Sequence, residues 1–229
     1  MKALLYKEFK LAMHPICYIF VLAFPLMILI PSYPIAIGFI YVLSVYPILF
    51  LGANKGQQSN DLLYSALLPV RKKDIVKARI ATVMIMQFAF ILVTTALYPL
   101  AILIQNSIKA TGGEGADIPG IGLDGYVSIL GIALLGYALA DLIFFPIYYK
   151  KGKSIVMSTL LTILGFVTYL MFFTVILPYI PGCQGYVDLL SHNGLVPQFI
   201  LLGIVLVLYA AIHFLIYKIS SSLLEKVDF

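Results

Sequence analysis

Charge is scarce in this chain. Only 11% of its 229 residues are Asp, Glu, Lys or Arg and 62% are hydrophobic, whereas an ordinary soluble domain is about 25% charged. A water-soluble fold has nowhere to hide that much apolar surface, so a soluble globular domain is excluded. Histidine and cysteine are scarcer still. His14, His192 and His213 are isolated from one another, with no pair at the helical spacing of a zinc site. No nucleophile, base and orienting group occur in combination, so triad hydrolysis is not indicated either. Cys17 and Cys183 fall in segments expected on opposite sides of a bilayer and are not expected to pair. A nucleotide-binding loop is also lacking. Gly152-Lys153-Ser154 imitates its end, but the glycine it needs further upstream is replaced by Ile147. Any energy must therefore come from a partner or an ion gradient. There is no internal repeat, no low-complexity tract and no hydrophilic stretch large enough to fold by itself.

What is there is a series of long apolar runs. A hydrocarbon core about 30 Å thick needs roughly 20 helical residues, and six segments qualify: 11–30, 35–53, 80–105, 126–149, 154–180 and 195–217. The mean hydropathy of +1.04 is spread along the whole chain, so it is not the signature of a cleaved leader. Pro31 and Pro34 force a tight connection between the first two runs. Pro25, Pro47, Pro99 and Pro146 lie inside spans, where kinks are tolerated if neighbours satisfy the freed carbonyls. The expected fold is an all-α integral membrane domain over 1–229 with six transmembrane helices.

The net charge of +5 is distributed by topology. Lys2, Lys7 and Lys10 precede the first run; Lys55, Arg71, Lys72, Lys73, Lys77 and Arg79 follow the second. Lys150, Lys151 and Lys153 follow the fourth, and Lys218 and Lys226 end the chain. Lys109 alone falls on the other side. The positive-inside bias makes the populated side cytoplasmic. Nucleic-acid binding is not needed to explain the charge, and both termini are expected in the cytoplasm, with a multi-pass chain in the cell membrane. The connection 106–125 is glycine-rich, carries Glu114, Asp117 and Asp124, and is expected outside.

Residues 1–12 place Leu5, Phe9 and Ala12 on one helical side with Lys7 and Lys10 roughly opposite. This predicts an interfacial helix with its lysines toward anionic lipid headgroups, with Glu8 as a blemish on the pattern. An extension of the first span is the alternative. In the cytoplasmic stretch 54–79, Asn60 or Asp61 is suited to cap a short helix. Leu62, Leu63, Tyr64, Leu67 and Leu68 give that helix an apolar surface, and Pro69 ends it. Such a helix must bury against something. Beyond the basic cluster, the next helix is expected to run straight into the third span.

This segment, with its Leu68-Pro69-Val70, its basic cluster and its Asp74-Ile-Val-Lys-Ala-Arg79, resembles the same loop of type-2 ATP-binding-cassette permeases. Phe145-Pro-Ile-Tyr-Tyr-Lys-Lys-Gly-Lys153 is similar to that family's aromatic and basic run after the fourth span. The hydropathy layout matches throughout, most closely the small six-span permeases of phenol-soluble modulin and antimicrobial-peptide exporters. The resemblance implies that Asn60 to Leu68 form a coupling helix seated in a groove of a separate ATPase, which alone carries ATP and Mg. It implies a second contact at Lys150, Lys151 and Lys153, and a second permease chain, identical or related. It also implies an amphipathic or hydrophobic peptide as cargo. The chain itself would then not be an enzyme. The loop packing on its own membrane domain is the alternative for the coupling segment.

Asp141 is the one acid deep in a predicted span, about 13 Å along the helix from Lys150. An acid at such depth costs about 2.5–3.5 kcal/mol on insertion scales, so it is expected to face protein or water. Gly136 and Ala140, spaced for close helix packing, lie just before it. Asp141 is thus a candidate lining of a translocation path, or else a hydrogen-bonded packing residue, and His213 is a possible partner. Two other functions stay open: a proton-coupled secondary transporter using Asp141, and a non-transporting membrane immunity or scaffold protein.

Overall fold

The computed structural model describes residues 2–13, 15–29, 70–111, 126–151, 155–172, 176, 179–180 and 195–226. Among these the chain is helical, without a strand. Helix α1 (Lys2–Lys7) continues as a π-helical turn, Glu8–Ala12. Helix α2 (Ile16–Ala23) continues as a tighter 3-10 segment, Phe24–Leu29. Four longer helices follow: α3 (Lys72–Thr111), α4 (Tyr126–Lys151), α5 (Ile155–Met171) and α6 (Leu195–Glu225). Helices α3, α4 and α6 are each long and apolar enough to cross a membrane; Ile16–Leu29 and Met157–Met171 are shorter apolar helices. The expected second span, 35–53, and the expected coupling helix lie outside the described residues.

Helix α3 holds 40 residues, about 60 Å at 1.5 Å per residue, or twice the thickness of a hydrocarbon core. It starts where Arg71 accepts the first amide, from Asp74 at 2.9 Å, and Asp74 in that first turn suits the positive end of the helix dipole. The run from the basic cluster into the third span is continuous, as the sequence predicts. At its far end α3 reaches Thr111, so 106–111 are helical and not loop. No glycine occurs there before Gly112, and Lys109 accordingly rides on the helix.

Helix α4 is the hub. It packs most extensively on α6 and next on α5, while α3 packs on α6 and on the segment Phe24–Leu29. Contact between α4 and α5 is close because both supply glycine. A Cβ on Gly136 would lie 2.7 Å from Cε2 of Phe166, and one on Gly165 would run into Ile143. Tyr169 of α5 donates to the carbonyl of Ile132 on α4 at 2.8 Å. The larger of two apolar clusters among the described residues joins Cys17 and Val21 of α2, Val83 and Phe90 of α3, Phe144 and Phe145 of α4, Phe166 of α5 and Ile216 of α6.

Three buried threonine hydroxyls are satisfied within their own helices. Thr82, Thr94 and Thr162 each donate to the carbonyl one turn back, at 2.8–3.0 Å, the bond available to a hydroxyl where no water competes. The outside is the reverse of a soluble protein. Helix α6 exposes Val196, Phe199, Ile200, Ile204, Val207 and Phe214 along its length, a surface suited to hydrocarbon and not to water.

Candidate functional site

Two buried polar junctions interrupt the apolar core. The deeper one is centred on Asp141, whose side chain is wholly shielded from solvent. Gln87 of α3 donates through Nε2 to Asp141 Oδ2 at 2.8 Å. Nε2 of His213, on α6, lies 2.9 Å from the same oxygen. Tyr209, one turn before His213, donates its hydroxyl to Gln87 Oε1 at 2.5 Å. Nδ1 of His213 closes the set at 2.8 Å from the Tyr209 carbonyl. Gln87, Asp141, Tyr209 and His213 are all buried.

Hydrogen-bonding capacity fixes most protons here. A carbonyl only accepts, so Nδ1 of His213 carries hydrogen. Gln87 is oriented by its neighbours: its amide nitrogen faces a carboxyl oxygen and its carbonyl oxygen faces a hydroxyl. Between His213 Nε2 and Asp141 Oδ2 a proton must lie, because two lone pairs would otherwise meet at 2.9 Å. The pair is either imidazolium with carboxylate or neutral imidazole with carboxylic acid. In both arrangements it is electrically neutral and ties α4 to α6, while Gln87 adds α3.

The second junction lies nearer the helix ends. Arg79, in the second turn of α3, donates from Nε to Glu8 Oε2 at 3.1 Å and from Nη2 to Glu8 Oε1 at 3.4 Å. Its Nη1 donates to the Tyr148 hydroxyl of α4 at 3.1 Å. Lys7 Nζ lies 3.5 Å from Glu8 Oε1. Lys7, Glu8 and Arg79 are only 7%, 5% and 4% exposed. This corrects the expected facing of the amino-terminal segment. Leu4, Lys7 and Glu8 form its buried stripe, at the spacing of one helical face; Lys10 stays exposed, donating to the Tyr6 hydroxyl at 2.7 Å.

Of the residues singled out from sequence, Asp141 and His213 are brought together. Ala140 and Gly136 are buried on the same helix as Asp141, with Gly136 against Phe166 and Tyr169 of α5. Lys150 is exposed at the end of α4, which closes with Lys151. Lys153 and the segment from Asn60 through Asp61, Leu62, Leu63, Tyr64, Leu67 and Leu68 to Pro69 lie outside the described residues. Sequence reasoning missed Gln87, Tyr209, Glu8 and Tyr148 as members of polar junctions. For Tyr209 a signal existed, since it precedes His213 by one helical turn; Gln87 is an uncharged residue in an apolar span, with nothing in its neighbourhood to name its partner.

The class of protein is thereby defined: an all-α, multi-pass membrane protein whose helices are pinned by buried polar contacts. The family model described as ABC-2 family transporter protein matches residues 3–225. The chain belongs to that family and is the membrane permease component of an ABC transporter, in agreement with the resemblance carried by its second loop. No curated protein and no solved structure matches it.

Proposed function

We propose that the chain is the permease subunit of an exporter of amphipathic or hydrophobic peptides, of the phenol-soluble modulin or antimicrobial kind. A separate ATPase binds ATP and Mg and supplies the energy. A second permease chain, this one or a relative, completes the path, and both termini face the cytoplasm of a cell whose plasma membrane holds the complex. Asn60 to Pro69 seat in the ATPase, with Lys150, Lys151 and Lys153 as a second contact. ATP-driven closure of the ATPase shifts the permease because the two bind one membrane conformation better than the other.

The observation that carries this reading is helix α3. It is one continuous helix from Lys72 to Thr111, with Pro99 in its distal part, so in this reading a push on the second loop reaches the membrane along a stiff rod. Purified in lipid, the protein is expected to capture its cognate ATPase, and Leu63→Glu or Leu67→Glu to weaken capture at least about tenfold, because a carboxylate would enter an apolar contact. Unchanged capture by both variants would remove the coupling assignment.

Asp141 belongs to the gate of the translocation path in this reading. Its bonds to α3 and α6 hold three helices together, and the transport cycle loosens them. A proton-coupled carrier is the second reading, favoured by the proton held between Asp141 and His213. Transport that persists without any ATPase and follows the proton gradient would select it; a non-transporting scaffold would move nothing in either assay.

A further inference from the structure

Glu8 and Arg79 form a buried ion pair between two pieces of chain that the sequence treats as unrelated surface. Replacing such a pair by apolar residues is often neutral or stabilising, so stability alone is a weak reason for it. Its geometry offers another. Two bonds from one guanidinium to both oxygens of one carboxylate define an angle as well as a distance. The third bond, to Tyr148, extends the constraint to α4, where Tyr148 stacks on Phe144 with ring centres 5.7 Å apart and planes 13° from parallel.

The amino-terminal side is equally well held. The π turn is closed by the Met13 amide donating to the Glu8 carbonyl at 2.9 Å. The Tyr18 hydroxyl, on α2, donates to the Phe9 carbonyl at 2.6 Å. Arg79 itself sits in the second turn of α3, at the end of the stretch 54–79. Any motion of this base of α3 must either carry the amino-terminal segment with it or separate two buried charges.

We propose that Glu8 and Arg79 are positioning residues that make the amino-terminal segment, the base of α3 and the end of α4 move as one body when the ATPase acts on the second loop. The proposal rests on the coupling-loop reading above. It assigns to Glu8 the transmission of motion, not contact with the ATPase or with cargo.

The test uses the full permease–ATPase complex in lipid. Spin labels at the exposed positions Lys2 and Lys77, placed by cysteine substitution in a background free of native cysteines, report the distance between the two segments. That distance is expected to stay the same with and without ATP in otherwise unaltered protein. Glu8→Gln should broaden it and lower peptide-stimulated hydrolysis at least about tenfold, with basal hydrolysis and ATPase capture unchanged. Cysteines at positions 8 and 79, joined by a short bifunctional thiol reagent, should restore stimulation that the unjoined pair lacks. A Lys2–Lys77 distance that changes with ATP overturns the proposal without any substitution in the pair. So does full stimulation in Glu8→Gln. Capture by Leu63→Glu and Leu67→Glu reports on the coupling-loop reading alone.

Discussion

A carboxylate out of reach of water is tolerated only when its environment replaces the lost hydration. Asp141 meets that condition through Gln87 and His213, which explains how it survives in an apolar span. Asparagine at 141 fills the same space, but Gln87 and His213 both meet the one oxygen Oδ2, so an amide oxygen placed there keeps the bond from Gln87 and gives a neutral His213 no donor. The bond that remains would lose its charge assistance, which roughly doubles the strength of a hydrogen bond. Asp141→Asn should therefore fold and assemble with a thermal midpoint between those of the unaltered protein and Asp141→Leu, while export falls because the gate closes less firmly. Leucine strands the buried nitrogens of Gln87 and His213, at about 1–3 kcal/mol for each unsatisfied group. Thermal unfolding in detergent should show a clear loss for Asp141→Leu. Wild-type export by Asp141→Asn would reduce Asp141 to a packing residue. At this scale Asp141 was legible because an acid in a span is rare. Arg79 was not, since counting basic residues treats an exposed lysine and a buried arginine alike, and the partner that separates them, Glu8, is 71 residues away.

Among the elements, the third span and its extension were legible from Asp74-Ile-Val-Lys-Ala-Arg79, which has no helix breaker between the basic cluster and the apolar run. The facing of the amino-terminal segment was not. Its charged residues suggest a polar side, but Leu4, Lys7 and Glu8 share a face, and a partner charge on α3 turns that face inward. Glycine shows the same dependence on context. Gly136, Gly165 and Gly203 all lie in apolar helices, yet a Cβ at Gly136 would meet the Phe166 and Tyr169 rings, at Gly165 the flexible end of Ile143, and at Gly203 nothing within 4 Å. Overpacking a close contact costs about 1–3 kcal/mol, whereas alanine in an open helical position gains up to about 1 kcal/mol over glycine. Alanine substitutions are expected to rank Gly203→Ala at or above the unaltered protein, Gly165→Ala lower and Gly136→Ala lowest in thermal midpoint. Equal midpoints for Gly136→Ala and Gly203→Ala would contradict the α4–α5 packing.

For the whole molecule, two observations bear on the proposed orientation. One is charge: fourteen of the fifteen basic residues fall on one side of the expected six-span arrangement. The other is contact. Glu8 with Arg79 joins the amino-terminal segment to the start of α3, Arg79 with Tyr148 adds the end of α4, and Lys73 with Glu225, 3.2 Å apart, adds the end of α6. That last pair is half exposed and so adds little stability; its value here is that it marks neighbours. Each of these four ends carries basic residues, so the side chosen by charge is also the end where the helices meet. Cysteines introduced at Lys72 and Lys151 should therefore be protected from a membrane-impermeant thiol reagent in intact cells and react once the membrane is opened. Cysteines at Gly113 and Gly185 should react from outside without permeabilisation. Labelling of Lys72→Cys in sealed cells, with Gly113→Cys protected, would invert the protein in the membrane and place the second loop beyond the reach of a cytoplasmic ATPase. The contacts between helix ends would survive that result, but the export mechanism built on them would not.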